Sequence, residues 1–176
     1  MATGRGKISY STDNGITWST EVNVGNEQNT YSYAVWTGER FVITTSGSGG
    51  SGSIVYQSTD GVTWVDSTGN LPGTSNSPSD MITDKQGRVL ILNGTTSAFY
   101  STDHGVSFTS IPLFDSAATG FVVNGLWVFL QADNSSYFTA PVATPTVATS
   151  RTLPISTVGL SRNFCCSNGV NLGVLS

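Results

Sequence analysis

The chain has 176 residues, a formal net charge of −4 at pH 7 and a charged fraction of only 10%. Its lysines and arginines are scattered without a cluster, which disfavours binding to nucleic acid or to an anionic membrane. Hydrophobic residues make up 38% and recur in strand-sized clusters, which excludes intrinsic disorder. The longest apolar run, residues 120–130, is too short to span a bilayer. We therefore predict one all-β domain over residues 1–176.

The first predicted element is a pair of strands joined by a turn that contains Ser11, Asp13, Gly15 and Trp18. An aspartate at the start of a tight turn accepts hydrogen bonds from backbone N–H groups further along, and glycine supplies a positive φ. The closing tryptophan offers a large apolar body that can be buried beside the strand. A hairpin at residues 33–43 follows, with an apolar strand on each side of a glycine-containing turn.

The same turn and hairpin then recur along the chain. The second turn contains Ser58, Asp60, Gly61 and Trp64, with one residue fewer between aspartate and glycine, and the third contains Ser101, Asp103, Gly105 and Phe108. Further hairpins are predicted at residues 81–92, 120–130 and 163–175. A fourth turn without its aspartate and glycine is expected after a strand at 136–140, with a loop at 141–145 and a strand at 146–149.

The spacing of the turns predicts the architecture. The three aspartates lie 47 and 43 residues apart, and a period of roughly 40–50 residues is typical of β-propeller blades. We predict a small propeller of about four four-stranded blades, closed by pairing of the N- and C-terminal segments, because closure removes exposed sheet edges. Two alternatives stay open: a half-ring that pairs with a second subunit, and a piece of a larger propeller.

The turn pattern Ser-x-Asp-x-Gly-x-Thr-Trp closely resembles the Asp-box, or bacterial neuraminidase repeat, of sialidases and other propeller families. The resemblance implies that Asp13, Asp60 and Asp103 lie on the outer rim and have a structural role. Sialidase activity would also require an arginine cluster, a tyrosine–glutamate pair and an acidic aspartate. The arginine-isoleucine-proline segment that precedes the first box in that family is absent here. The resemblance therefore favours sialidase-like repeats without the catalytic set.

Other catalytic or metal-binding arrangements are also disfavoured. A glycosidase needs two carboxylates that face each other across a cleft. The candidates outside the boxes lie in apparent turns: Glu21, Glu27, Glu39, Asp66, Asp80, Asp84, Asp115 and Asp133. His104, the only histidine, occupies the variable position of the third box and is expected at the surface. We predict no catalytic residue, no metal site and no cofactor.

The adjacent Cys165 and Cys166 are expected to point to opposite faces of a strand, with a vicinal disulfide as the alternative. Aromatic side chains near polar loops can stack on sugar rings, and Tyr31 and Tyr137 are the predicted ligand contacts. Trp36 and Trp127 lie within hairpins and are expected in the packing between blades.

These features predict a non-catalytic structural or adhesive module. We expect a phage virion component, such as a fibre tip or decoration protein, because residues 1–7 lack a leader and the chain is rich in Ser, Thr, Gly and Asn. Its expected partners are other virion or surface proteins and surface glycans, with self-association left open. The alternatives are a sialidase-like glycoside hydrolase or its inactive remnant, an intracellular protein-binding scaffold, and an extracellular or cytoplasmic bacterial location.

Overall fold

The computed structural model describes residues 2–4, 6–25, 30–46, 54–68, 71, 78–113, 116–131, 136–152, 165–167 and 172–174. Over these residues the chain forms seventeen strands in five antiparallel sheets, so the prediction of an all-β fold is confirmed. In the same part of the chain, no helix has the length and apolar character needed to cross a membrane.

The strands follow one another as a succession of antiparallel meanders. Sheet 1 contains β1 (Ala2–Gly4), β2 (Lys7–Ser9) and β3 (Val22–Asn23). Sheet 2 contains β4 (Thr30–Trp36), β5 (Phe41–Ser46), β6 (Ile54–Ser58) and β7 (Val65–Asp66). Sheet 3 contains β8 (Asp80–Thr83), β9 (Val89–Leu92), β10 (Ser97–Ser101) and β11 (Thr109–Pro112). Sheet 4 contains β12 (Ala117–Val123), β13 (Leu126–Gln131), β14 (Ser136–Pro141) and β15 (Thr149–Thr152), and sheet 5 contains β16 (Cys165–Ser167) and β17 (Leu172–Val174).

The sheets pack face to face, so the central strands are covered on both sides. All four residues of β9, for example, are buried, which explains why this strand is a continuous apolar run. Among the described residues, the core between sheets 1 and 2 contains Ile8, Val24, Ile43 and Tyr56. The core between sheets 2 and 3 contains Val42, Val55, Met81, Val89, Ile91, Phe99 and Phe108. The core between sheets 3 and 4 contains Ile82, Leu90, Leu92, Ala98, Leu113, Ala117, Trp127, Phe129, Phe138 and Ala140.

The hairpins lie where the sequence predicts them, with one exception near the fourth turn. The strand expected at residues 146–149 begins only at Thr149, where β15 starts. Residues 142–148 instead form a hydrogen-bonded turn, in which the Thr144 N–H donates to the Pro141 carbonyl. The Val142 carbonyl also accepts hydrogen bonds from the Tyr100 hydroxyl and the Trp127 indole. These contacts hold the segment as a turn and displace the start of the strand.

The predicted pairing of the chain ends is not observed. Pairing β17 with β2 would require a free edge on β2, but β1 lies there, with Thr3 opposite Ile8 and Gly4 opposite Lys7. Within the described residues, sheet 5 is a separate two-stranded sheet, and only sheets 2, 3 and 4 have four strands. The connection between β1 and β2 is short, so this local pairing costs little loop-closure entropy.

Candidate functional site

The turn between β6 and β7 is held together by two side chains. The Ser58 hydroxyl donates to the Asp60 carboxylate (2.9 Å) and accepts from the Gly61 N–H (2.8 Å). Asp60 Oδ1 also accepts from the Thr63 N–H at 2.7 Å. The indole of Trp64 donates to the Gly61 carbonyl at 3.2 Å, which fixes the ring over the turn. The carboxylate of Asp60 therefore accepts its hydrogen bonds from residues of its own turn.

The other two turns contain one additional residue in the left-handed region. Asn14 has φ 59° before Gly15, and His104 has φ 61° before Gly105. The carboxylate of Asp13 accepts the Thr17 N–H at 2.9 Å, in the way that Asp60 accepts Thr63. Ser11 and Ser101 accept the glycine N–H groups at 2.8 and 2.9 Å.

Hydrogen bonding keeps these three carboxylates ionised. Bonds from Thr17 and Ser11 lower the pKa of Asp13 to about 2, and bonds from Thr63, Val62 and Ser58 lower the pKa of Asp60 to about 2. Burial opposes the ionisation of Asp103, yet hydrogen bonds from Ser107 and Ser101 outweigh it and the pKa is lowered. A carboxylate of this kind is a poor general acid at neutral pH, so the geometry suits a structural role.

The closing aromatic residues of the three turns differ in exposure. Phe108 is 6% exposed within the core between sheets 2 and 3, and Trp64 is half-buried against the core between sheets 1 and 2. Trp18 is 46% exposed. Phe108 and Trp64 each pack against the preceding sheet, whereas Trp18 belongs to the first sheet. The burial of the closing aromatic residue therefore depends on the neighbouring sheet and not on the turn itself.

His104 differs from its predicted place at the surface. It is half-buried between the turns of sheets 2 and 3, where its Nδ1 lies 3.1 Å from the Thr37 hydroxyl. The backbone N–H of His104 donates to the Gly87 carbonyl (2.8 Å), and the backbone N–H of Gly87 in turn donates to the Thr37 carbonyl (3.2 Å). Its Nε2 lies 3.5 Å from the Glu39 carboxylate. His104 thus joins two sheets, a role that the repeat period cannot reveal because Thr37 is distant in sequence.

A cleft of about 730 Å³ lies along the first strands of sheets 2, 3 and 4, which are β4, β8 and β12. It is lined by Val35, Met81, Ile82, Thr83, Asp84, Lys85, Gln86, Gly120, Phe121, Val122, Asn124, Gly125 and Val142. These residues come from β4, from β8 and its following turn, from β12 and its following turn, and from the turn after β14. In the described strand order β4, β8 and β12 are edge strands of their sheets.

The cleft is lined by both apolar and polar residues, and its one lining carboxylate, that of Asp84, is already hydrogen-bonded. Asp84 accepts the N–H groups of Gln86 (2.8 Å) and Arg88 (3.0 Å), and it pairs with the Arg88 guanidinium at 2.9 Å. Asp80, which precedes the lining residue Met81, accepts the Thr119 hydroxyl and the Gly120 N–H, and these bonds tie β8 to β12. In the part of the chain that the structure describes, no group of three His, Cys, Asp or Glu residues is placed to hold a metal ion. This arrangement can bind a ligand but offers no pair of facing carboxylates among its lining residues.

Tyr31 and Tyr137, the two predicted ligand contacts, do not lie in a common site. The Tyr31 hydroxyl donates to the Val24 carbonyl, the ring packs against the core between sheets 1 and 2, and burial raises its pKa to about 12. Tyr137 lies half-buried on β14, opposite Leu130 and Arg151. Neither residue lines the cleft, and they belong to different sheets.

The remaining candidates have mixed outcomes. Trp127 is fully buried, as expected, whereas Trp36 is 40% exposed with its ring tilted against Phe41 at a centroid distance of 4.5 Å. Cys165 and Cys166 lie on β16, as expected, but their side chains are outside the described residues. Glu27, Asp115 and Asp133 also lie outside them. The cleft residues Met81 and Phe121 were not predicted as ligand contacts, although their recurrence on β8 and β12 was a usable signal in the sequence.

The chain is similar in fold to solved protein structures. No family model and no curated protein matches the chain. A structure of YCF48 bound to D1 peptide is 14% identical with a TM-score of 0.61, and the match covers 84% of this chain and 49% of that one. YCF48 from Cyanidioschyzon merolae is 13% identical with a TM-score of 0.59, covering 86% and 51%. A Trypanosoma rangeli sialidase in complex with the inhibitor DANA is more distant, with 15% identity, a TM-score of 0.44, and coverage of 82% and 26%.

YCF48 is a β-propeller protein, so the likeness assigns this chain to the propeller class of folds. The chain spans about half the length of the two YCF48 structures.

Proposed function

We propose that this protein is a non-catalytic binding module of the propeller class, and that its cleft holds a short extended segment of a protein partner. One observation carries the proposal: a cleft of about 730 Å³ that is lined by both apolar and polar side chains, near which the carboxylates of Asp84 and Asp80 are already hydrogen-bonded within the protein. The volume lies in the range of roughly 300–1,000 Å³ that is usual for ligand sites.

The walls of the cleft favour a peptide. Because β4, β8 and β12 are edge strands, an extended segment can pair with their backbone groups while its side chains enter the cleft. Phe121 and Val122, which are half-buried on β12, offer apolar contacts. Lys85 is exposed at the rim, where its ammonium favours an acidic group on the partner. The expected ligand is thus an apolar segment with an adjacent acidic residue.

One of the similar structures, YCF48 bound to D1 peptide, is a propeller that holds a peptide. At 14% identity the likeness itself shows the fold alone, and the peptide bound to that structure is a precedent for the class of ligand that we propose here.

Selection from a library of random short peptides tests the proposal. We expect the enriched peptides to combine apolar and acidic residues, and to lose about tenfold or more in affinity for Phe121→Ala and Lys85→Glu. Val62→Ala and Arg151→Glu are matched controls outside the cleft and should bind like the wild type. Peptides that bind all four variants equally would contradict the assignment of the site, and turnover of a fluorogenic sialoside would contradict the non-catalytic role.

The proposal also includes a structural role for the three turns and a place for the protein in a larger particle. The three turns act as Asp-box staples of a sialidase-like propeller without its catalytic set, and the protein serves as a structural or adhesive part of a phage virion that contacts virion proteins or glycans. Co-purification with viral particles is the direct test of the virion role, and a glycan array tests the contribution of Tyr31 and Tyr137.

A further inference from the structure

The imidazole ring of His104 is held between one turn of sheet 2 and one turn of sheet 3. In the turn between β4 and β5, its Nδ1 lies 3.1 Å from the Thr37 hydroxyl and its Nε2 lies 3.5 Å from the Glu39 carboxylate. The ring also covers Gly87 in the turn between β8 and β9, because a Cβ added there would lie 3.0 Å from Nε2. Each ring nitrogen therefore has a defined partner.

The bonds of the Thr37 hydroxyl determine which ring nitrogen carries the proton. This hydroxyl donates to the Arg40 carbonyl at 3.0 Å and accepts from the Arg40 N–H at 3.0 Å. A hydroxyl has one hydrogen and two lone pairs, so one lone pair is left for His104. The Nδ1 of His104 must therefore be the donor. In the neutral ring Nε2 then has a lone pair and no proton, and it faces the Glu39 carboxylate as one acceptor facing another.

Protonation of the ring changes the contact with Glu39. An imidazolium donates from both nitrogens, and histidine side chains ordinarily change charge between pH 5 and 8. The new Nε2–H can donate to one oxygen of Glu39, while the other oxygen lies 3.4 Å from Arg40 Nε. The contact between Nδ1 and Thr37 is the same in both states. The ring therefore gains a partner without a change of orientation.

The charges around the ring leave Glu39 as its acceptor. The charged groups on the elements that surround the ring are Glu39 and Arg40 of the turn between β4 and β5, Asp84, Lys85 and Arg88 of the turn between β8 and β9, and Asp103 of its own turn. Asp84 pairs with Arg88 at 2.9 Å. Asp103 accepts from the Ser107 N–H at 2.9 Å. The cations Arg40 and Lys85 oppose a positive charge on the ring, and Glu39 favours it.

The two turns beside the ring also contact each other through their backbones. The Gly87 N–H donates to the Thr37 carbonyl at 3.2 Å, and a Cβ added to Gly38 would lie 2.3 Å from the Lys85 carbonyl. Lys85 and Gln86 of the same turn line the cleft. A bond between the ring and Glu39 therefore fastens together two turns, one of which forms part of the cleft wall.

We propose that His104 is a proton-dependent link between sheets 2 and 3, which forms its ion pair with Glu39 as the pH falls from 8 towards 5. The link strengthens the contact between the two turns in mildly acidic solution. It is independent of what the cleft binds, so its test uses the full chain without a ligand.

Stability at two pH values tests the proposal. Glu39→Gln should lower the folding equilibrium constant by about two- to fivefold more at pH 5.5 than at pH 8, which is the usual strength of an exposed ion pair. The contact of Glu39 with Arg40 is lost at both pH values and cancels in this comparison. In a His104→Asn background the pH difference should disappear, and asparagine tolerates the positive φ of 61° at this position. Urea denaturation followed by circular dichroism measures all four combinations.

Glu21→Gln is the matched control, because Glu21 pairs with Lys7 at 3.1 Å and its side chain is 61% exposed, against 56% for Glu39. It should have the same effect at both pH values. His104 is the only histidine, so nitrogen NMR of the imidazole should show the proton on Nδ1 at pH 8. A proton on Nε2 at that pH would overturn the proposal, as would an effect of Glu39→Gln that is equal at pH 5.5 and pH 8.

Discussion

The interface between sheets 3 and 4 and the interface between sheets 1 and 2 are built from the same repeat but differ in their cores. Among the described residues, the first contains ten buried side chains, including Phe129 stacked on Phe138 at 4.8 Å. The second contains four. The repeat therefore specifies the sheets, whereas the apolar burial that stabilises each one depends on the sheets beside it.

The largest expected effect is in the core between sheets 3 and 4. Phe129 is fully buried, so Phe129→Ala should lower the free energy of unfolding by about 3–5 kcal/mol. Urea denaturation followed by circular dichroism measures this change. Hydrogen exchange should show sheet 1 opening before sheets 3 and 4 in the wild type, and equal protection of all sheets would contradict the comparison.

Two equivalent glycines provide a sharper test. Gly105 and Gly15 have φ of 83° and 86°, so replacement by alanine strains both backbones alike. Only at Gly105 does the new Cβ overlap Val42, at 2.6 Å, which should make Gly105→Ala about 1–3 kcal/mol more destabilising than Gly15→Ala. If Gly105→Ala and Gly15→Ala lowered the melting temperature equally, sheet 2 would not contact the turn that contains Gly105.

A smaller effect is expected where His104 joins sheets 2 and 3. Thr37→Val removes the hydroxyl that lies 3.1 Å from His104 Nδ1 and that also bonds to the Arg40 backbone at 3.0 Å, and it keeps the shape of the side chain, so it should cost about 1–3 kcal/mol. Thr102→Val, at an exposed residue of the third turn, is the control. The two variants are compared by denaturant titration, and a neutral Thr37→Val would refute a role for this contact in joining the sheets.

The smallest effect is expected from the exposed carboxylates of the turns. Folding lowers the pKa of Asp13 and Asp60 from 3.8 to about 2, so their stabilising contribution is fully present above pH 4. It is lost as the pH falls from 4 towards 2, because the unfolded chain then binds protons that the folded turn excludes. Denaturation midpoints between pH 2 and 7 should show this loss, and Asp60→Asn should reduce it. A midpoint independent of pH below 4 would contradict the assignment.

Local chemistry determined much of the fold. The aspartate, the glycine and the flanking apolar residues indicate each turn and its strands because their interactions join residues a few positions apart, as the bonds from Asp60 to Thr63 demonstrate. The hairpins follow from the same local signals, whereas residues 146–148 form a turn in place of the predicted strand, next to the Val142 carbonyl that Tyr100 and Trp127 hold through long-range hydrogen bonds.

The sequence by itself determined the strands, the stapled turns and the propeller class of fold, since these follow from short-range hydrogen bonding and from a period that can be counted. Only the tertiary structure decided which faces are covered, how β1 occupies the edge of β2, and that Met81 and Phe121 line one cleft. It also decided that Phe108 is buried while Trp18 is exposed. The physical reason is that contacts between sheets join residues far apart in the chain. Similar repeats therefore differ in side-chain burial because different sheets lie beside them.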